Sequence, residues 1–328
     1  MQTRKNDMAT SRPNIVQEQV QLASKTWFET GGPARFFAEP KTTTELIEIV
    51  AWAHSNGIPF CMLGKGANVL VSDRGFDGLV IHPKINTITT TPQDASAVQV
   101  TAGAGVEIDN FIAYCLDHNI LGFEEFSAIP GTIGGAVFIN IHYFAASLSD
   151  FLVSATLLET TTGALLTVEK DWFQFGYDYS QLHNSNFIVV DATFKLTQGN
   201  ALDGAFARGR SVEISRHRKQ RYPYKGTCGS FFKNFSPDQV TQTSNGRKAI
   251  WVAYYLDKLG IKGELCVGGA CISHQHANMV VNKGDATSND IVQLARLMQQ
   301  KMHAAFGLIP EPECQFIGFD EYPLLRSR

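Results

Sequence analysis

Apolar and small residues alternate through TWFETGGPARFFAEP, residues 26–40, with the period of a β-strand. The period then changes. TTTELIEIVAWAHSNG sets Leu46, Ile49, Val50 and Ala53 on one helical face, with Thr44 as its N-cap and Gly57 at its close. PFCMLG, VLVSD and FDGLVIHP are short apolar runs of strand type, and AVQVTAGAG gives two more short strands. A helix follows over 107–118, apolar at Ile108, Phe111, Ile112 and Cys115. From 150 to 197 the period is two: SATLLETTTGALLTVEK reads as a hairpin turning at Thr162 and Gly163, and NFIVVDATFKL as a further strand. Beyond Gly199 a basic helix, ARGRSVEISRHRKQR, opens a second region with helices over 248–259 and 288–306 and the strand-like tail EPECQFIGF.

The 328 residues are 44% hydrophobic and 18% charged, enough for two or three cores. A net charge of -3 provides no global basic field, so neither nucleic acid nor an anionic membrane is the expected partner, although local basic clusters suit a small anion. Six scattered cysteines, without a CxxC pair or metal-like spacing, read as free thiols of a reducing compartment. His274 and His276 lie two apart on an expected strand, with no acidic or thiol partner at metal spacing, so no metal is expected. No run of eighteen apolar residues occurs, and the expected location is cytoplasmic. Residues 1–20 read as a flexible polar extension, with Met8 an alternative start.

Three stretches carry candidate chemistry. Gly64 and Gly66 follow a strand, where bare backbone amides suit a pyrophosphate or an ordinary surface turn. A dinucleotide fingerprint fails there, because Val69 replaces the third glycine and VLVSD continues as strand. AIPGTIGGAVFIN, residues 128–140, suits a backbone pressed against a planar ring, or a glycine-rich core crossover. GTCGSFFKNF, residues 226–235, puts Ser230 after a glycine, with Lys233 and Asn234 close behind. It reads as a turn entering a buried strand, or as a hydroxyl placed to donate a proton.

Taken together, TWFETGGPA, LGKGANVLVSD, IPGTIGGAVFIN, FGYDYS, GSFFKN, HQHAN with VVN, and EPECQFIG stand in the order found in the UDP-N-acetylenolpyruvoylglucosamine reductases, which residues 20–318 resemble. The resemblance implies an α+β fold: an FAD-binding fold of the vanillyl-alcohol-oxidase type, over 21–200 and split near 84, with a C-terminal α+β substrate-binding domain over 201–310. Residues 311–328 would return to the active site. FAD would be held non-covalently by Gly64, Lys65, Gly66, Ala67, Asn68, Ile129, Gly131, Thr132, Gly134, Gly135 and Asn140, with NADPH as reductant. The substrate would be a UDP-sugar enolpyruvyl ether, met by Tyr177, Lys219, Lys233 and Asn234. Ser230 would give the proton and Glu313 would stabilise the enol. The chain looks like the group lacking a tyrosine-bearing loop insertion, since 196–205 is too short for it, and a monomer or weak homodimer is expected.

The chain departs from that pattern twice. Asp178 follows Tyr177 where the family usually has an arginine that clamps the substrate carboxylate, and NIHYFA, residues 140–145, replaces NAGAYG. At Asp178 the charge is reversed. Either Arg221 or another cation has taken over the clamp, or Asp178 pairs with a neighbouring basic residue, or the chain is a silent FAD-binding paralogue. His142 is read as a packing histidine or as a contact to cofactor or substrate. Arg218 and Lys225 read as a solvated basic helix face. Another flavin oxidoreductase acting on an alcohol or sugar is the further alternative.

Overall fold

A computed structural model describes residues 11–326, so the choice between Met1 and Met8 lies outside the described residues. The first sheet runs in the order Val16–Gln21, Pro33–Ala38, Phe76–Ile81, Phe60–Met62. Residues 16–20, expected within the flexible extension, therefore pair antiparallel with Pro33–Ala38, and Val16 is buried. Of the alternating stretch 26–40 only Pro33–Ala38 is strand; Trp27 and Phe28 are in a turn, with Trp27 N donating to Gly66 O at 2.9 Å. Helix α1, Thr43–Ser55, buries Leu46, Ile49, Val50 and Ala53 against this sheet, the face the sequence sets. Its N-cap is Thr42 rather than Thr44, because Glu45 three residues on closes a capping box: Glu45 N donates to Thr42 Oγ1 at 3.1 Å.

A second, antiparallel sheet orders Leu165–Glu169, Leu152–Glu159, Phe187–Gln198, Ala97–Gly103 and Ile88–Pro92. The expected hairpin is its first pair. Helix α2, Ile108–Asp117, packs its apolar face into the same core. The glycine-rich stretch after it forms helix α3, Ile133–Ile139, which its composition does not announce. Burial of Ile133, Ala136 and Val137 outweighs two glycines' poor propensity, and Gly134 is needed because a Cβ there would stand 3.0 Å from Ala104 Cβ.

Helix α4, Ala201–Arg221, is capped by Asn200 and leads to the C-terminal region. There α5, Val252–Lys258, and α6, Ser288–Phe306, pack on Cys266–Val267, Ala270–Ile272 and Val280–Asn282. HQHAN is a turn between the last two strands, not a strand, because Ser273 N bonds Met279 O and closes the chain on itself. Cys266 and Cys271, expected as free thiols, face each other across a two-residue hairpin turn and are joined in a disulfide. Cys61, Cys115, Cys228 and Cys314 are free. Among the described residues no helix is long and apolar enough to cross a membrane.

The last strand, Gln315–Ile317, leaves this region and pairs in parallel with Val69–Val71. The chain beyond α6 is fixed to it by Gln299, fully buried, which donates to Pro310 O and Leu325 O and accepts from Leu325 N at 2.9–3.0 Å. Gln299→Leu fills the same space but orphans three backbone groups. Urea unfolding should then show a loss of about 1–3 kcal/mol, the range for buried groups left unpaired.

Candidate functional site

A cavity of about 1330 Å³ lies where the two sheets and the C-terminal region meet. That exceeds the roughly 300–1,000 Å³ of a pocket for one drug-sized ligand, so there is room for a dinucleotide and a second molecule together. Its walls include Gly64, Lys65, Gly66, Ala67, Asn68, Ile129, Gly131, Thr132, Gly134 and Gly135 on one side. Tyr177, Asp178, Lys219, Ser230, Asn234 and Glu313 line the other. Asn140 and Lys233 are not in the wall.

The two glycine segments face each other. A Cβ on Gly64 would stand 2.8 Å from Thr132 Oγ1, and one on Gly135 would stand 3.5 Å from the same atom. Gly66 serves the chain itself rather than a ligand. Its φ of +69° and the crossing of residues 25–26, where a Cβ would meet Lys25 O at 2.3 Å, leave only glycine there. Lys65 is ion-paired with Glu107 at the start of α2. Asn68 Nδ2 donates to Glu313 O at 3.4 Å, while its buried Oδ1 has no partner among the described residues. A ligand rich in hydroxyl and N–H donors, as a ribityl-bearing flavin is, would satisfy that acceptor.

Asn140 is used structurally. It ends α3 in the left-handed conformation, accepts from Ser149 N at 3.0 Å and donates from Nδ2 to Gly176 O at 3.0 Å. FGYDYS forms a tight turn: Gly176 N bonds Tyr179 O at 3.0 Å, with Asp178 at φ +49°. The turn puts Asp178 at 3% exposure with Oδ1 3.5 Å from His142 Nδ1 and Oδ2 without a hydrogen-bond partner among the described residues. Beside it the Tyr177 ring lies tilted against His142 at 4.7 Å, and its hydroxyl accepts from Asn234 Nδ2 at 2.9 Å.

Ser230 and Glu313 are set by one backbone ladder. Glu313 N donates to Phe231 O at 2.9 Å and Lys233 N to Glu311 O at 2.8 Å. Asn278 grips the same strand from behind, its side chain bonding both polar groups of the Phe232 backbone at 2.8 and 3.1 Å. Burial, then the nearby Asp178 carboxylate, pushes the Glu313 carboxyl well above its ordinary range, against the pull of Lys233. Asp178 is also raised, by burial, with His142 and Lys233 opposing. Two carboxyls in one low-dielectric pocket do not both ionise, and Asp178 has the His142 imidazole at 3.5 Å to offset its charge, so Glu313 is the one held as the neutral acid. Lys233 thus acts through its field rather than as a wall.

Sequence reasoning misjudged Arg218. It is not on a solvated face: Nε donates to Ala128 O at 3.1 Å, and the guanidinium stands over the rings of Tyr143 and Tyr222 at 5.1 and 5.0 Å, inside the cavity wall. Tyr222, four residues on, is the one signal the sequence carried, whereas Tyr143 comes to the guanidinium only through the fold. Arg221 lies over Tyr222 at 5.6 Å, not against Asp178.

Residues 34–169 match the model of the FAD binding domain, and residues 220–317 that of the UDP-N-acetylenolpyruvoylglucosamine reductase C-terminal domain. The UDP-N-acetylenolpyruvoylglucosamine reductase of Synechococcus sp. (strain WH7803) is 32% identical over 93% of this chain and 94% of that protein. That of Listeria monocytogenes serotype 4b (strain F2365) is 32% identical over 96% of this chain and its whole length, 100%. The crystal structure of the Thermus caldophilus reductase superposes with a TM-score of 0.72 at 27% identity, covering 92% of this chain and 98% of that one. The α+β fold with an FAD-binding part and a C-terminal part is thus the one the sequence implies.

Two outcomes follow from the site. Gly64→Val wedges a side chain between the two glycine segments, so the purified protein should lose its yellow flavin absorbance while far-ultraviolet circular dichroism stays native. The raised Glu313 carboxyl is a folded-state group that binds its proton more tightly than the unfolded chain does. Its stabilising effect is therefore complete at acid pH and is lost as pH rises through the folded value. Glu313→Gln, which fixes the neutral form, should match wild type in urea midpoint near pH 4 and gain on it progressively toward pH 8, pH values chosen to bracket about 4.3, the ordinary glutamate value.

Proposed function

The chain belongs to the UDP-N-acetylenolpyruvoylglucosamine reductase family, and on that premise we propose that its cavity reduces UDP-N-acetylglucosamine enolpyruvate to UDP-N-acetylmuramate with NADPH, a step of peptidoglycan precursor synthesis. The observation that carries the reading is the ladder that sets Ser230 and a neutral Glu313 in one wall of a cavity whose other wall is the paired glycine segments. Residues 64–68 and 129–135 would hold FAD, which, once reduced by NADPH, would supply a hydride for the methylene carbon of the enolpyruvyl ether.

The chain's own task is to meet the charge that this leaves on the substrate. It spreads onto the carboxylate as an enolate, and donors already in place stabilise it better than donors that must reorganise. Glu313, carrying its proton, donates to the enolate oxygen. Ser230 Oγ–H gives its proton to the other alkene carbon, with the positive field of Lys219 and Lys233 stabilising the oxygen left behind. Asn234, tied to the Tyr177 hydroxyl, holds the sugar diphosphate side together with Lys219. Residues 21–200 serve as the FAD-binding part, 201–310 as the substrate-binding part and 311–328 as the return. A cytoplasmic, monomeric or weakly dimeric enzyme without nucleic acid or membrane partner is the accompanying reading, supported by the net charge of -3.

Ser230→Ala tests the assignment in two half-reactions. NADPH should bleach the flavin at near wild-type rate, while anaerobic reoxidation by the enolpyruvyl substrate should slow by about 10²-fold or more. Equal loss in both halves would make Ser230 a structural residue.

A further inference from the structure

His142 and Asp178, the two departures from the family pattern that share this cavity, touch. His142 opens the strand His142–Tyr143 and Asp178 sits in the 176–179 turn, and Asn140 ties the two segments together through its bond to Gly176 O at 3.0 Å. The imidazole is held on two sides, by Asp178 Oδ1 at 3.5 Å from Nδ1 and by the Tyr177 ring at 4.7 Å. It still faces the cavity, with 30% of its side chain exposed against 3% for Asp178. His142 is thus far more open to a ligand in the cavity than Asp178 is.

We propose that His142 donates from Nε2 to the carboxylate of the enolpyruvyl substrate, and that Asp178 is a positioning residue that fixes its ring. This rests on the reductase reading above. The chemistry follows from the pairing of Asp178 Oδ1 with Nδ1 at 3.5 Å, which favours a proton on that nitrogen. A histidine bound to a carboxylate through one nitrogen presents the other as an N–H donor when the pair holds both protons. The pair is then neutral, so the reversed charge at 178 adds no net anion beside the incoming carboxylate. Burial raises the Asp178 carboxyl while His142 and Lys233 pull it back down, and the other groups facing it are Glu313 and Tyr177. Of the other cations of the wall, Lys65 is paired with Glu107, Arg218 is held by Ala128 O and two tyrosine rings, Arg221 lies over Tyr222, and Lys219 is the one given above to the sugar diphosphate.

Calorimetric titration of the FAD-loaded enzyme without NADPH tests this with two probes: UDP-N-acetylglucosamine enolpyruvate and UDP-N-acetylglucosamine, which lacks the carboxylate. His142→Ala should weaken the first by about 10- to 100-fold, the value of a hydrogen bond to a charged group, and leave the second within about twofold. Asp178→Asn should weaken the same probe by less, the double variant should equal His142→Ala, and His142→Gln, which keeps a donor, should recover part of the loss. Weakening of both probes alike, of neither, or a further drop in the double variant overturns the proposal. Wild type that binds the enolpyruvyl probe no better than the other overturns it too. Wild type that binds that probe selectively yet oxidises no NADPH with it overturns the reductase reading and leaves the binding result standing.

Discussion

The site depends on one strip of backbone, residues 311–317. Its first half hydrogen-bonds to residues 231–233 and its second half to 68–72, with Gln315 N on Asn68 O at 3.0 Å and Ser72 N on Ile317 O at 2.9 Å. A strip paired on both sides fixes the separation of the two loops by main-chain geometry rather than by long side chains. The proton-bearing wall and the glycine-bearing wall are thereby held in register, which catalytic constellations require to within fractions of an ångström. The alternation of the strip then turns Glu313 into the cavity and Cys314 into the core.

Desolvation is what makes this strip chemically useful. In water a glutamate is an anion at neutral pH and cannot donate. Beside Asp178 and largely withdrawn from water, the neutral form is favoured, and a neutral carboxyl can donate a hydrogen bond, as the role proposed for Glu313 requires. Lys233 works against the shift, so the balance rests on burial first and on the second carboxylate next. The reversal of charge at 178 is therefore not neutral for Glu313: Asp178 helps keep that residue protonated, a task a cation at the same place would oppose.

Local periodicity made the helices legible: α6 spans Ser288–Phe306 as read, and the buried face of α1 is the one its spacing sets. It failed where packing overrides propensity. Nothing local in IGGAVFI announces a helix, because its stability comes from burial against the second sheet. The capping box at Thr42 was hidden among three consecutive threonines and a neighbour, with only the position of Glu45 to decide. At the site, the order of motifs pointed to Ser230, Glu313 and the two glycine segments, all of which the fold brings to one cavity. Arg218 and the His142–Asp178 contact were not legible, since each depends on partners 36 or more residues away, as Nε of Arg218 on Ala128 O and Nδ1 of His142 on Asp178 do.

The backbone around the cavity shows why those contacts exist. Ala128, Asn140, Phe144 and Asp178 are non-glycine residues with φ between +49° and +60°, and three of the four line the cavity. A side chain in that region costs of order 1–3 kcal/mol, so such residues persist only where the surroundings over-determine them. Here the surroundings can be named. Arg218 holds Ala128 through its carbonyl, Asn140 holds Gly176, and the buried Ser180 hydroxyl donates to Phe138 O at 2.6 Å, locking the 176–179 turn onto α3. The strained turn gives Asp178 its inward aim. A relaxed, extended residue 178 would alternate with Tyr177 and point away from the wall that Tyr177 lines, whereas the left-handed kink sends both side chains toward His142.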